Sequence, residues 1–402
     1  MYLFGVWQPD RSLLVLVCIF VLHNIKGTYI VIQAGEVVQV WGDIPLMTAA
    51  FFLLFTNLSL SLKIFNLVLK RETIRTIVNN CEQELICEKR ETGKKIIARL
   101  AKARLQLFTY IALAAGTVLG WAASAEKNQL PLRAWYPYDT TQSPAYDLTY
   151  IHQCVAVGLS ATVNVSVDTV VTSLVALCCC RLQLLALSLQ TLFDDLPLQT
   201  TVYLTIKYIY YGEPTINVVS PRKLLFFVSL LNLTVQGLLH PSVEPVAWDR
   251  LRECIQQHQT TLKATVILQR CFSLPVLAQF TVSVFIICAT AYQLSETANF
   301  IRTASMIFYL VVMMYQVFIY CYQGNEIQVE SEAVCDAAYV SEWLVCTPRM
   351  RRALVLLMTR TRCPVILSAG GLVNLSLKTF MGIIKASYTF FTVLQGAGNG
   401  TK

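Results

Sequence analysis

Seven long apolar stretches, separated by more polar segments, dominate the pattern of hydrophobic and polar positions along the chain. A helix needs about 20 mainly apolar residues to cross the hydrocarbon core of a membrane, and these stretches approach or exceed that length. The predicted spans are residues 13–34, 44–69, 105–123, 151–180, 266–294, 303–322 and 375–394. The first is the least regular, because His23, Asn24 and Lys26 interrupt it. The pattern predicts an all-α fold, a polytopic seven-transmembrane helix bundle in a single domain that occupies residues 1–402.

The distribution of basic residues between the spans predicts how the bundle lies in the membrane. Ten Lys and Arg residues lie between the second and third spans, and five more lie at residues 349–362, before the seventh span. The segment between the third and fourth spans carries only Lys127 and Arg133. Because basic loops remain on the cytosolic side, we expect a cytosolic N-terminus and an extracellular C-terminus. Residues 181–262 and 325–373 should then form an intracellular anchor region.

Composition agrees with a membrane protein and argues against a nucleic-acid partner. Apolar residues make up 55% of the 402 residues and charged residues only 14%, whereas soluble proteins carry about 25% charged residues. The formal net charge is +8. The basic residues lie beside the spans, however, and are not interleaved with aromatic residues on an exposed face, as nucleic-acid binding would require. We therefore expect contact with membrane lipid and none with nucleic acid.

No pattern in the chain indicates catalysis, a metal ion or another cofactor. The 14 cysteines include no CxxC pair, and the four histidines lack the spacing of metal ligands. Gly93, Lys94 and Lys95 are not accompanied by the rest of a phosphate-binding loop. We interpret the cysteines as small apolar side chains and free thiols, and we predict that the protein is not an enzyme.

Four short segments, in order along the chain, resemble segments of one family of membrane proteins. They are Trp135–Asp139 in the second predicted outer loop, Leu251–Gln259 before the fifth span, Tyr320–Asn325 at the end of the sixth span, and Leu375–Leu394. The last contains a Ser-Leu-x-Thr-Phe start, a Lys-x-Ser-Tyr middle and a Phe-x-Val-Leu end. In these motifs the chain resembles the insect odorant receptor family. The orientation predicted from the basic loops agrees with the orientation that this resemblance implies.

The resemblance implies a ligand-selective odorant receptor subunit rather than the olfactory co-receptor. Such a subunit binds a small volatile odorant and, together with the co-receptor, forms a tetrameric, non-selective cation channel in the plasma membrane of an olfactory sensory neuron. A gustatory receptor of the same fold is the alternative, although its Thr-Tyr…Gln-Phe ending is absent. A G-protein-coupled receptor would need an Asp-Arg-Tyr motif at the inner end of the third span, and the chain has none there.

The resemblance also implies a pore lined by the seventh span. Val393 corresponds to the apolar gate of the family, and a ring of apolar side chains at a narrow point stops ions by dewetting. Four further residues lie at helical spacing from it and are the predicted pore-lining positions: Ala386, Thr389, Phe390 and Ala397. Small and hydroxyl-bearing groups at these positions suit a hydrated path.

A ligand pocket is expected among the outer halves of the second to fifth spans. Pockets for small apolar ligands are lined mainly by hydrophobic and aromatic side chains with a few polar groups. Ten residues at comparable depth meet this description and are the candidate ligand-binding residues: Thr48, Phe51, Phe52, Phe55, Thr117, Trp121, His152, Ala156, Cys288 and Tyr292. Asp168, which lies deeper in the fourth span near Asn164, is expected to join a polar network between helices.

Residues 197–248 form an atypical insert, which is apolar and irregular and does not resemble the family. Asp194 and Asp195 before the insert, and Asp249 and Arg250 after it, do resemble the family. Two interpretations remain open, namely a loop peculiar to this receptor and a translated intron.

Overall fold

The computed structural model of the protein is a helical bundle with one short β-hairpin. It describes residues 13–42, 44–86, 90–98, 102–123, 130, 132, 134–140, 142–194, 196, 244–296, 300–341, 343 and 346–399. Within these residues the elements are α1 (Leu13–Gln39), α2 (Ile44–Leu69), α3 (Arg71–Ile86), α4 (Glu91–Ala98), α5 (Lys102–Ala123), α6 (Ala145–Gln190), α7 (Glu244–Glu296), α8 (Phe300–Val340), α9 (Pro348–Thr361), β1 (Ser368–Ala369), β2 (Val373–Asn374) and α10 (Leu377–Asn399).

Four of these helices are long and apolar enough to cross a membrane. They are α5, α6, α7 and α8, and the bent pair of α2 and α3, with an angle of 68° between its halves, adds a fifth if it counts as one span. A helix satisfies all of its backbone hydrogen bonds internally, which is why apolar segments in a membrane adopt this structure. The helical, mainly apolar architecture confirms the predicted all-α class, apart from the hairpin.

Three helices are much longer than the predicted spans within them. Helices α6, α7 and α8 contain 46, 53 and 41 residues. At 1.5 Å per residue they are about 69, 80 and 62 Å long, whereas the hydrocarbon core of a membrane is about 30 Å thick. Each of the three is therefore longer than a single membrane crossing requires. Helix α9 packs against α8.

The predicted atypical insert overlaps the start of a helix at its C-terminal end. Helix α7 begins at Glu244, so residues 244–248 belong to a regular helix and not to an irregular segment. Trp248, near the start of this helix, lies under the guanidinium of Arg349, whose central carbon is 4.7 Å from the ring centroid. Residues 197–243 lie outside the described residues.

The hairpin before α10, which the sequence pattern did not predict, ties that helix to α7. Its turn contains Gly370 and Gly371, whose φ angles of +61° and +72° favour glycine. The Gly370 amide donates to the Ser273 carbonyl at 3.0 Å, and the Gln269 amide nitrogen donates to the Ser368 carbonyl at 2.6 Å. These bonds fix the point at which α10 starts.

Candidate functional site

A cavity lies inside the bundle, between α1, α2, α5, α6 and α8. Its volume, taken as the space open to the centre of a water-sized sphere, is about 80 Å³, whereas one water needs roughly 10–15 Å³ on this scale. Four aromatic side chains, Tyr29, Tyr110, Trp121 and Tyr309, form much of its wall, together with aliphatic residues such as Leu53. The cavity thus has room for a small organic molecule in mainly apolar surroundings.

The outer part of the wall is shaped by the contact between α5 and α8. The rings of Trp121 and Tyr309 lie 5.2 Å apart, and the Tyr309 hydroxyl shares a hydrogen bond with the Thr56 hydroxyl at 3.0 Å. Gly120 permits this packing, because a Cβ atom there would lie only 2.6 Å from the Ser305 Cβ. The Tyr309 ring is therefore held between Trp121 of α5 and Thr56 of α2.

Two of the ten candidate ligand-binding residues, Thr117 and Trp121, line this cavity. Phe51 and Phe55 lie on another face of α2, where their rings stack 5.3 Å apart and Phe55 is 36% exposed. The positions of α2 that do face the cavity are Leu53, Thr56, Asn57 and Leu60. The side chains of Thr48 and Phe52 lie outside the described residues.

The other four candidates are not part of the cavity wall. His152 faces α1, with Nε2 3.4 Å from the Thr28 hydroxyl, and Ala156 is buried beside the wall residue Val157. Cys288 and Tyr292 are buried on α7, and among the described residues α7 adds nothing to the lining.

Sequence reasoning missed the contributions of α1 and α8 to the wall. Tyr29 comes from α1, and Tyr309 and Met313 come from α8. Tyr309 and Met313 are four residues apart and therefore adjacent on one helical face. That spacing in the sixth span was a detectable signal, although a buried pair of this kind is equally typical of ordinary helix packing.

A buried polar cluster forms the floor of the cavity, as expected for Asp168. The Asp168 carboxylate accepts from the Lys63 ammonium at 2.7 Å, from the Tyr320 hydroxyl at 2.7 Å, from the Tyr110 hydroxyl at 3.0 Å and from the amide nitrogen of Gln316. The side chains of Lys63 and Asp168 are only 2% and 0% exposed. Helices α2, α5, α6 and α8 therefore meet at one ion pair.

The cavity and the polar cluster share two side chains. Asn164 lines the cavity and accepts a hydrogen bond from the Lys63 ammonium at 3.1 Å. Tyr110 also lines the cavity and donates to Asp168. The cluster extends to α7, because the Gln279 amide nitrogen donates to the Gln316 side-chain oxygen at 2.8 Å. A molecule in the cavity would thus contact Asn164 and Tyr110, which are hydrogen-bonded to side chains of other helices.

The candidate pore residues lie on α10. Thr389, Phe390 and Val393 are exposed, the last at 64%, and Ala386 is partly buried. Phe390 also touches Phe285 of α7, with ring centroids 6.0 Å apart. The side chain of Ala397 lies outside the described residues. Much of this face of α10 is not covered by the part of the chain that the structure describes.

No group of three or more His, Cys, Asp or Glu side chains in the described part of the chain is arranged to hold a metal ion. The buried Asp168 carboxylate is neutralised by the Lys63 ammonium and accepts a hydrogen bond from the Tyr320 hydroxyl.

Comparison with known proteins identifies the family. The sequence matches the family model described as 7tm Odorant receptor over residues 43–388. Odorant receptor Or1 of Anopheles gambiae is 26% identical over 369 residues, which cover 88% of this chain and 82% of that protein. Odorant receptor 2a of Drosophila melanogaster is 32% identical over 166 residues, 40% of this chain and 42% of that protein.

The fold is also similar to a solved structure. The chain aligns, with a TM-score of 0.76 and 17% identity, with the insect olfactory receptor OR5 from Machilis hrabei in complex with eugenol, over 96% of this chain and 91% of that chain. This likeness concerns the arrangement of the helices. Because the family model covers most of the sequence, the chain belongs to the 7tm odorant receptor family.

Proposed function

We propose that this chain is a ligand-selective odorant receptor subunit, which binds a small volatile compound in the cavity and thereby opens a cation channel. The observation that carries the proposal is the cavity itself, which is enclosed by five helices and lined mainly by aromatic and aliphatic side chains. Sites for small molecules have this character, with few polar groups that fix orientation. The family is one of receptors and not an enzyme class.

The proposed channel is a tetramer in which this subunit assembles with the olfactory co-receptor, in the plasma membrane of an olfactory sensory neuron. The exposed face of α10 supports assembly, because Val393 is apolar, Thr389 carries a hydroxyl, and no described residue covers either side chain. Val393 is the proposed gate. In this arrangement the N-terminus is cytosolic, and an epitope tag at the C-terminus should be accessible to antibody on intact cells.

The proposed coupling runs from the cavity through α8 and α7 to α10. Tyr309 lies in the cavity wall, Gln316 of the same helix binds Gln279 of α7, and Phe285 of α7 touches Phe390 of α10. A ligand shifts a conformational equilibrium only by its difference in affinity for the two states. An odorant that fits the cavity better in the open state therefore favours the open channel.

The first test records whole-cell current from cells that express this chain alone or with an insect co-receptor, while a panel of volatiles is applied. Current from the pair only supports a ligand-selective subunit. Replacement of the wall residue by Trp121→Ala should raise the half-maximal odorant concentration at least about tenfold, because a large apolar contact is lost. Phe55→Ala, on another face of α2, should leave it nearly unchanged. Equal effects of the two substitutions would contradict this site.

The proposed gate is tested by Val393→Ser. A hydroxyl group at a narrow apolar ring favours water there, so we expect current in the absence of odorant. The matched control is Met381→Ser, which makes a similar exposed position polar three turns away and should leave the basal current low. If Val393→Ser channels at the cell surface stay closed without odorant, Val393 is not the gate.

Deletion of residues 197–243 separates the two interpretations of the insert. Helices α6 and α7 remain intact in this variant, because α7 begins at Glu244. Odorant-evoked current that appears only after deletion would support a translated intron. Current from the full chain that disappears after deletion would support a functional loop.

A further inference from the structure

An amide side chain in the cavity wall has an acceptor with no partner among the residues that the structure describes. Asn57 of α2 is 5% exposed and lines the cavity. Its amide nitrogen donates to the Leu53 carbonyl at 3.0 Å and to the Gln33 side-chain oxygen at 3.1 Å. Its oxygen, Oδ1, is buried and accepts no hydrogen bond from any described residue.

The orientation of this amide follows from its partner on the same helix. A backbone carbonyl only accepts hydrogen bonds, so the Asn57 atom that faces the Leu53 carbonyl must be the nitrogen. The side chain therefore cannot be turned around to satisfy its oxygen without losing that bond. A buried acceptor that has no donor destabilises the structure, and more so in a membrane, where water is scarce.

Other polar groups of the wall already bind within the protein. The Tyr110 hydroxyl donates to Asp168, the Thr117 hydroxyl donates to the Leu113 carbonyl, and the Thr56 and Tyr309 hydroxyls bind each other. The Tyr29 hydroxyl, also in the wall, is likewise buried with no hydrogen-bond partner among the described residues, but a hydroxyl can donate as well as accept. Asn57 differs from all five neighbours because its unpartnered atom, Oδ1, can only accept a hydrogen bond.

We propose that Asn57 selects odorants that carry a hydrogen-bond donor, namely volatile alcohols and phenols, over ethers and hydrocarbons of the same shape. The inference rests on the proposed function, since it assumes that the cavity is the odorant site. The ligand hydroxyl donates to Oδ1 of Asn57, and the remainder of the ligand contacts the aromatic and aliphatic wall. A site built to bind a hydroxyl discriminates strongly against analogues that lack it, because its own polar group then stays unpaired.

The test compares alcohols and phenols with their own methyl ethers, in about ten pairs that span different sizes. Half-maximal concentrations are measured for current from the full chain expressed with the co-receptor, and the unfolding temperature of the purified full chain is measured with each compound. For each pair in which at least one compound evokes current, we expect the hydroxyl compound to be at least about tenfold more potent than its methyl ether. The same compound should raise the unfolding temperature more.

Two variants assign this preference to Asn57. Leucine has a similar size but no acceptor, so Asn57→Leu should reduce the ratio between alcohol and ether to within about threefold. Thr117→Val is the matched control, because it removes a wall hydroxyl that is already bonded to its own helix, and it should retain the preference. Cell-surface labelling verifies that both variants fold, and the comparison of ligands on the unaltered chain needs no variant.

The outcomes separate the inference from the proposed function. Ethers that act as strongly as their alcohols, by current or by unfolding temperature, overturn the inference and leave the receptor function intact. So does an Asn57→Leu chain that keeps the full preference. Selective stabilisation by alcohols without any current supports the inference and overturns the channel function. If no pair produces current or stabilisation, both are overturned.

Discussion

The ion pair of Lys63 and Asp168 shows how single residues define the centre of the bundle. Both side chains are almost completely buried, and Asp168 also accepts hydrogen bonds from Tyr110 and Tyr320. Removing two charges from water is unfavourable, and their attraction offsets this only when the geometry is good and further hydrogen bonds are made. Here α5 and α8 supply those hydrogen bonds. The ion pair therefore favours this arrangement of the helices over other arrangements, and it adds little net free energy of folding.

Breaking this pair from one side should be severe. We expect Lys63→Met or Asp168→Asn to destabilise the protein by about 3–5 kcal/mol, because each leaves a buried charge without its partner. The double variant Lys63→Met/Asp168→Leu should recover much of that loss. Thermal unfolding of the purified protein and the amount at the cell surface measure the effect.

The control for this prediction is the exposed pair of Lys94 and Glu91. Their charged atoms are also 2.7 Å apart, but the side chains are 55% and 80% exposed. Because solvent screens such pairs, Lys94→Met should change the unfolding temperature little. A loss in Lys94→Met comparable to that in Lys63→Met would show that burial is not the cause.

At this scale the sequence predicted the cavity only in part. The burial of Asp168 followed from its apolar neighbours, but its partner lies 105 residues away, and no local pattern connects them. On α2 the predicted ligand-binding residues are mainly phenylalanines, whereas Asn57 and Leu60 face the cavity. A membrane helix is apolar on the lipid side as well as on the protein side, so hydrophobic periodicity does not identify its inner face. On α5, the predicted residue Trp121 does line the cavity.

At the scale of elements, the packing of α8 against the start of α10 depends on a glycine. A Cβ atom at Gly324 would lie 2.5 Å from the carbonyl oxygen of Leu375, the residue two positions before α10 begins. Backbone at such a contact cannot move aside as a flexible side chain can. The start of α10 is also bound to α7 through the hairpin. A Cβ atom at position 324 would therefore push on a segment that contacts both α7 and α8.

We therefore expect Gly324→Ala to lower the unfolding temperature by several degrees and to alter odorant-evoked current, because it displaces α10. Gly158→Ala on α6 is the matched control, since an added Cβ there meets nothing within 4 Å. In a helix that substitution should be neutral or slightly stabilising, by about 0.5–1 kcal/mol. Equal stability of the two variants would show that the contact at Leu375 relaxes freely.

The elements were predicted better than their ends. The predicted spans fall on α1, α2, α5, α6, α7, α8 and α10, and the span at 375–394 starts two residues before its helix. Helices α6, α7 and α8 extend well beyond the predicted spans, because the apolar pattern marks only the part of a helix that suits a membrane and not where the helix ends. The hairpin was missed because strands of two residues contain no periodicity to detect.

At the scale of the whole molecule, the part predicted to be intracellular should be sensitive to acid. His258 on α7 is 6% exposed. Burial, and secondarily the positive charge of Arg360, lower the pKa of His258 below its usual value of 6.5. The unfolded chain therefore binds a proton that the folded chain excludes. Stability contributed by neutral His258 is fully present above pH 6.5 and is lost as the pH falls from 6.5 toward the folded pKa.

We expect the unfolding temperature of the purified protein to fall between pH 6.5 and pH 5 and to depend less on pH in His258→Gln. Glutamine keeps a polar group of similar size but does not titrate, so the two chains should be most alike near pH 7. Parallel curves for the two proteins across this range would exclude His258 as a source of the acid sensitivity.

The order in which the chain is made gives the buried ion pair a further consequence. Lys63 enters the membrane with α2, whereas Asp168 is 105 residues later in α6. At about 5–20 residues per second, the lysine waits roughly 5–20 s for its counter-ion. During that interval a charge in a nascent membrane helix is unfavourable by about 2.5–3.5 kcal/mol. We therefore expect synthesis to include a period in which α2 is poorly anchored, and we expect the yield in a cell to depend on how well that helix is held until α6 is made.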